Sequence, residues 1–340
     1  MEAVCSIFVH YSRPDASLIC LERILRQERP VQKIVVVNNG SPSDPVLRQF
    51  ADSARRHGRE GDLHIVQMPR NAGNAGGCAA GLDYAFNLPG VNYAWMLDDD
   101  SWPRCDTLRR LTEAPSALPG EGRPLIRMAL VVDPARDHEL TWPLTARSTH
   151  DDAESWQHFC RRDSLPEQAY IPSRGGWLGA LYPRELWETV GAPTPGLFIR
   201  GEDEEYPWLA CSSGFRTITV AGALLEHPSP PQTLIRYDVG GGSFFYEPGI
   251  PVSRFYYKTR NWAWLQKRKR PGRSLYLFAA CGCCAVLAMN AMLQTGEISA
   301  ERFAALLCAL WNGARGKLRP WGRPGSGAEA APSAAASAGA

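Results

Sequence analysis

The stretch Ala94-Trp95-Met96-Leu97-Asp98-Asp99-Asp100-Ser101-Trp102 is an apolar run that ends in three carboxylates. It reads as a buried strand that delivers acid to the edge of a sheet. Adjacent carboxylates repel one another, so holding them together costs free energy unless a cation or hydrogen-bond donors compensate. A hard divalent cation is the obvious compensator. Mg²⁺ takes one or two carboxylates and fills its other positions with water and phosphate oxygens, so the triplet points to a metal–diphosphate site. A solvated acidic turn is the alternative. An EF-hand does not fit, because Arg109 occupies the twelfth position from Asp98, where a bidentate Glu is needed.

Upstream, Val4 to Tyr11 is apolar and β-rich, and Ser12-Arg13-Pro14-Asp15 supplies a cap residue, a helix-start proline and an acid three residues after the cap. Leu18, Leu21, Ile24 and Leu25 then recur at helical spacing. Ile34-Val35-Val36-Val37 has the continuous β-branched character of a parallel strand covered on both faces, and it stops at Asn38-Asn39-Gly40-Ser41. This is a βαβ unit. Ligands of open α/β sheets bind beyond the carboxyl ends of the strands, so residues 11–13, 38–41 and 98–100 are expected to converge on one crevice. Between them, Arg70 to Gly81 (RNAGNAGGCAAG) is a small-residue loop entering a helix. Such a segment either approaches a ligand anion closely or lets a helix pack tightly on the sheet. It is neither a dinucleotide fingerprint nor a P-loop.

Downstream, Ala129 to Val132 is strand-like, but the remainder of Thr107 to Pro172 is polar and poorly periodic, and is expected to be loop-rich, as in a lid. Trp177, flanked by Gly176 and Gly179, offers a flat apolar face to a sugar ring if it is exposed. Glu202-Asp203-Glu204-Glu205-Tyr206 opens a helix; acids there complement the helix dipole, and one facing the crevice is also placed as a general base. Thr217 to Leu225 is a further strand, with His227 at its end as a candidate metal ligand.

The 340-residue chain is long enough for one large or two modest domains, and its 37 basic against 35 acidic residues carry no global signal for nucleic acid. Ten cysteines show no disulfide framework, and no secretory signal pattern follows Met1, so a reducing, cytoplasmic setting is expected. Cys281, Cys283 and Cys284 lack metal-ligand spacing and read as small packing residues.

In this order and spacing, the first ~270 residues resemble a family 2 glycosyltransferase of the GT-A fold, within the ~250-residue range of a large single α/β domain. The resemblance is to bacterial galactofuranosyltransferases and rhamnosyltransferases. It rests on His10 to Pro14, Val37 to Ser41, Asn71 to Gly77, Asp98 to Asp100, Gly176 to Gly179, Glu202 to Tyr206 and His227. It implies an α/β, Rossmann-like domain with a mostly parallel central sheet and flanking helices over residues 1–230. A C-terminal extension with a basic cluster (231–273), apolar or amphipathic membrane-associating helices (274–320) and a disordered tail (321–340) would follow.

By resemblance the reaction is an inverting sugar transfer dependent on Mn²⁺ or Mg²⁺. Asp98 and Asp100 match the family's metal-holding acids, His227 matches a third ligand of the galactofuranosyl branch, and Asp203 matches the base. Tyr11, Arg13, Asn38, Asn39, Asn71, Gly76, Asp98 and Asp99 would contact the donor; Trp177 and Glu202 would contact the acceptor. Asn38 stands where relatives commonly carry an Asp that contacts the nucleoside, and Gly201 where the galactofuranosyl branch often has an aromatic. The acidic runs favour UDP-galactofuranose over dTDP-rhamnose as donor, with a lipid-linked or surface glycan as acceptor. A catalytically silent nucleotide- or glycan-binding module and a nucleotidyltransferase are the alternatives.

Arg254 to Trp262 resembles a segment these transferases carry after the catalytic domain. Lys267-Arg268-Lys269-Arg270 and Arg273 precede Leu275 to Leu293, which is almost wholly uncharged. Basic residues beside an apolar helix suit an anionic lipid surface, each adding about 1 kcal/mol near it. The apolar run approaches the ~20 residues needed to span a bilayer, but Gly282 and Asn290 weaken a spanning helix. With the second segment Phe303 to Trp311, an interfacial hairpin on the inner face of the cell membrane is expected; a packed bundle or a homo-oligomer contact is the alternative.

Overall fold

The computed structural model describes residues 2–40, 42–118, 122–148, 155–229, 234–239 and 242–322; Ser41 and the tail expected to be disordered lie outside these, apart from residues 321 and 322. The chain opens with β1 (Val4–His10), α1 (Pro14–Leu25), β2 (Lys33–Asn38), α2 (Val46–Arg56), β3 (Leu63–Gln67), α3 (Gly73–Asn87) and β4 (Tyr93–Met96). Every β1 side chain is buried. Alternation divides them: Val4 and Phe8 join α1 and α2 in one core, while Cys5, Ile7 and Val9 join α3 in another. Ile34 and Val36 against Val35 and Val37 of β2 divide the same way, which is why this strand reads as an unbroken apolar run. β1 pairs in parallel with β2 and β4, and β2 with β3.

The cap expected at Ser12 is not formed. Arg13 holds the N-cap position of α1 without a side-chain cap, and Ser12 is left-handed at φ 54. This turn carries the chain over the end of β1 and lets Arg13 reach the acidic triplet.

There follow β5 (Trp102–Pro103), α4 (Thr107–Glu113), β6 (Ile126–Asp133), β7 (Arg136–Ala146), β8 (Gln157–Arg161), β9 (Tyr170–Arg174), β10 (Ala180–Pro183), α5 (Arg184–Val190), α6 (Glu202–Ser212) and β11 (Thr217–Glu226). The sheet runs β3-β2-β1-β4-β10-β6-β11-β9-β7-β8, with β5 on β11. The parallel arrangement extends over β3-β2-β1-β4 and recurs at β6–β11; elsewhere the pairing is antiparallel. The strand expected at Ala129–Val132 lies within β6, but the expectation of a loop-rich lid over the rest of residues 107–172 is corrected: the described residues there form α4, β7, β8 and the start of β9. β9, β7 and β8 end the sheet on that side, β8 is largely exposed, and β7 pairs with register irregularities, so no clean two-residue alternation marks β7 and β8.

The hairpin β12 (Ile235–Val239) and β13 (Gly242–Tyr246) leads to α7 (Val252–Lys269), α8 (Ser274–Gln294) and α9 (Ala300–Ala314). A separate core joins Phe244, Phe255, Trp262, Ala288, Leu306 and Leu310. α9 lies close on α7 because residue 313 is glycine; a Cβ there would fall 2.3 Å from the Arg260 carbonyl oxygen. α8 buries Ala280, Cys284, Ala288, Ala291 and Met292 and exposes Leu275, Phe278, Val286 and Leu293. It is long and apolar enough to cross a membrane. The basic cluster before it is partly engaged within the protein: Arg268 pairs with Glu205 and Lys269 with Glu204 of α6.

Candidate active site

β4 ends at Met96, and the backbone N–H of Leu97 still donates to Ile7 of β1, so the triplet begins where the strand leaves the sheet. The Ser101 hydroxyl closes this turn on Asp98. β11 brings His227 to the same rim from the other half of the sheet. Single ligand atoms of Asp98, Asp100 and His227 all lie within 4.8 Å of one another. His227 Nδ1 donates to the Pro228 carbonyl at 2.7 Å, which leaves Nε2 facing Asp100 Oδ1 at 3.4 Å.

Electrostatics fit a cation here. Burial and the neighbouring Asp100 charge push the Asp98 carboxyl up to about 6, and no group among the described residues hydrogen-bonds that carboxylate. Burial likewise pushes Asp99 up to about 7, against the nearby Arg13 charge. Burial also opposes the Asp100 charge, but His227 and Arg13 outweigh it and hold that carboxyl below its usual range. Two carboxylates and an imidazole form a donor set that could hold a divalent metal ion.

Arg13 bridges Asp99 and Asp100. Behind it, Ser17 donates to Asp99 at 3.4 Å and meets His10 at 2.7 Å, and His10 meets Asp44 at 3.2 Å. Tyr11 is half-buried beside Gly40. Asn38 and Asn39 are buried. Asn38 donates to Gln67, while Asn39 donates to Asn71 and to the Gly73 carbonyl and accepts from Ala72. Asn39 and Asn71 thus knit the end of β2 to the start of α3. Gly76 is buried, and its neighbours Gly77 and Gly81 press on Val9 and Ile7, where a Cβ would come within 2.6 and 2.5 Å. At those two positions the glycines serve tight helix–sheet packing.

Asp203 is exposed in the first turn of α6, with Oδ1 accepting from the Gly201 amide at 2.9 Å. Gly201 has φ 110, a conformation that an aromatic residue would strain. Glu202 is buried; Oε1 accepts from Asn74 at 3.1 Å, and Oε2 has no partner among the described residues. Burial and the adjacent Asp203 charge push Glu202 up to about 8.

Trp177 is 7% exposed and packs on Tyr182 and Tyr206. This corrects the expectation of an exposed platform from that ring: its glycine neighbours permit a turn that turns the indole inward. An exposed ring at the rim is instead Trp142 of β7, 39% exposed and centred 4.6 Å from the His227 ring. Its neighbour Thr141 donates to the His227 carbonyl. Trp142 lies in the stretch read as loop, and its only sequence signal was a large aromatic between Thr141 and Pro143.

Residues 6–117 match the sequence profile described as "Glycosyl transferase family 2". The chain carries a family 2 glycosyltransferase domain. This glycosyltransferase lies close to galactofuranosyltransferases. It is 26% identical over 269 residues to galactofuranosyltransferase GlfT1 of Mycolicibacterium smegmatis (strain ATCC 700084 / mc(2)155), covering 77% of this chain and 82% of that one. To GlfT1 of Mycobacterium tuberculosis (strain ATCC 25618 / H37Rv) it is 26% identical over 236 residues, 67% and 70% of the two chains. Among solved structures, S. aureus TarS 1-349 superposes with a TM-score of 0.51 at 12% identity, covering 92% of this chain and 81% of that one, a likeness of fold alone. The sheet and its flanking helices are the GT-A fold.

Proposed function

We propose that this glycosyltransferase is an inverting, metal-dependent galactofuranosyltransferase. It moves galactofuranose from UDP-galactofuranose onto a lipid-linked or surface-polysaccharide acceptor. The convergence of Asp98, Asp100 and His227 on one rim carries the reading. Asp98, Asp100 and His227 would hold Mn²⁺ or Mg²⁺, which would supply charge stabilisation to the leaving diphosphate. Arg13, beside the same acids, exchanges part of its carboxylate pairing for the donor's phosphates. Asp99, held by Ser17, faces the donor ribose or sugar.

In the chemical step an Asp203 carboxylate oxygen takes the proton of the acceptor hydroxyl. The freed oxygen lone pair forms the new bond to the anomeric carbon while the carbon–oxygen bond to UDP breaks on the opposite face. The electron pair leaves on the diphosphate, so the anomeric configuration inverts. Glu202, beside Asp203 on the acceptor side, is buried, and its Oε2 has no partner among the described residues. Trp177 packs on Tyr206 of α6, the helix that carries Asp203.

The exposed stripe Leu275, Phe278, Val286 and Leu293 supports peripheral docking on the inner, anionic face of the membrane, where a lipid-linked acceptor resides. Calorimetric titration with UDP-galactofuranose, dTDP-rhamnose, UDP and dTDP, with Mn²⁺ and with EDTA, tests the donor. Metal-dependent binding of UDP-galactofuranose supports the reading; preference for dTDP-rhamnose turns it to rhamnosyl transfer, and binding of none overturns it.

A further inference from the structure

The segment that leads into Asp203 has an unusual backbone. Phe198 has φ 66 and ψ −68, with the Ile199 amide donating to the Leu197 carbonyl at 2.8 Å. This is a γ-turn of the rare, strained hand. Arg200 follows at φ 66 and Gly201 at φ 110. Two side-chain-bearing residues therefore occupy sparsely populated conformations, which persist only where the surroundings over-determine them.

The surroundings come from both sides. The Phe198 carbonyl accepts from the Ala75 amide at 3.0 Å, and it would touch any Cβ at Gly73, 2.0 Å away. From the other side, Asn261 of α7 is 1% exposed and turns one Nδ2 to the carbonyls of Leu197 (2.9 Å), Ile199 (3.1 Å) and Arg200. Arg260, also 1% exposed, donates Nη2 to the carbonyls of Gly196 and Leu197 at 2.9 Å each. Its Nε and Nη2 also donate to Asn261 Oδ1, fixing which edge of that amide faces the loop. Burial brings the Arg260 guanidinium down to about 10, so it keeps its charge at neutral pH, held by carbonyls and the faces of Tyr256 and Tyr257. Two adjacent buried residues of α7 thus donate to four carbonyls ahead of Asp203, those of Gly196, Leu197, Ile199 and Arg200.

We propose that Arg260 and Asn261 are positioning residues for transfer: they clamp residues 196–201 in the strained path that aims Asp203 across the rim toward the metal-holding acids. This rests on Asp203 being the base. Its consequence is that the helical extension is part of the catalytic apparatus and not only an anchor, since α7 carries the clamp and α9 is packed directly on it through Gly313.

The test uses the full chain with Mn²⁺, following UDP release from UDP-galactofuranose with water as acceptor, and calorimetric donor affinity in parallel. Asn261→Ala is expected to lower turnover by ~10²-fold, the scale of an ångström misplacement, with donor affinity within about twofold. Amide exchange at Ala75 and Ile199 should accelerate. Adding Arg200→Gly to Asn261→Ala should recover at least part of the turnover, because glycine takes φ 66 without a clamp. Should Asn261→Ala not fold, Asn261→Asp, which keeps the shape but sets carboxylate oxygens against the carbonyls, is expected to give the same split. Turnover unchanged, donor affinity lost in parallel with turnover, or no recovery by Arg200→Gly would overturn the clamp. Asp203→Asn, run alongside, separates the two readings: if it leaves turnover intact, the base assignment itself fails.

Discussion

Nε2 of His227 lies 3.4 Å from Oδ1 of Asp100, joining the end of β11 to the turn after β4 across the middle of the sheet. The contact brings an imidazole and two acids from opposite halves of the fold to one point, and no local segment contains it.

Removing one ligand should cost donor affinity only where metal is present. Asp100→Ala and His227→Ala are each expected to weaken UDP-galactofuranose binding with Mn²⁺, and to leave the weak binding in EDTA unchanged. Trp142→Ala, which removes the ring beside His227, should have a smaller effect of the same kind, on the ~10–100-fold scale of supporting residues or below. Calorimetry with and without chelator measures all three, and equal affinity for wild type and Asp100→Ala would remove Asp100 from the site.

Asp203→Asn keeps size and polarity but cannot take a proton. Turnover is expected to fall by ~10²–10⁴-fold. Donor affinity should stay within about twofold, as befits a group that acts only in the chemical step. Parallel loss of binding would count against the assignment.

Gly73→Ala should destabilise the fold and not merely the site. Residue 73 has φ 71, and its Cβ would meet the Phe198 carbonyl oxygen at 2.0 Å. Strain of this kind costs ~1–3 kcal/mol before any backbone shift. Urea unfolding reads it directly; a free energy equal to wild type would show that the loop has another way to pack.

Acid stability has a local contributor in Asp133. The Ser229 hydroxyl, the Ala135 amide and Arg136 hold its carboxyl down to about 2, against about 3.9 in an unfolded chain. A carboxyl depressed in the folded state stabilises above its unfolded value and loses that contribution as pH falls toward the folded one. Wild type should therefore lose stability relative to Asp133→Asn between about pH 4 and pH 2, with parallel curves above. Unfolding free energies across that range for both proteins decide it.

Charge on the exposed face of α8 should abolish lipid contact without touching the catalytic rim. Phe278 is 79% exposed and Val286 67% exposed. Phe278→Glu with Val286→Glu is expected to release the protein from vesicles containing anionic phosphatidylglycerol, with donor affinity retained. Co-sedimentation as strong as wild type would place the contact elsewhere.

Much of the parallel half of the sheet was legible in the residues. β1, β2 and β4 are short apolar runs that stop at polar turns, and a strand covered on both faces needs that composition wherever it occurs. The convergence of their carboxyl ends then follows from α/β topology, so Arg13 and the acidic triplet could be grouped before any coordinates. The antiparallel half was not legible. β8 is the edge strand and is largely exposed, β7 lies next to it, and register irregularities interrupt what alternation β7 has. Trp142 was missed with them.

Sequence alone determined the chemical inventory: three acids at a strand end, acids opening a helix, a histidine after a strand, and an apolar helix preceded by basic residues. Each is a local pattern, set by what a strand end or a helix start demands of nearby residues. Tertiary structure decided which of these groups meet and which are already engaged. It buried Trp177 and exposed Trp142, tied Arg268 and Lys269 to α6, and turned Arg260 and Asn261 onto the loop before Asp203. Burial and hydrogen-bond partnership depend on surfaces contributed by elements far apart in the chain, and no local pattern encodes them.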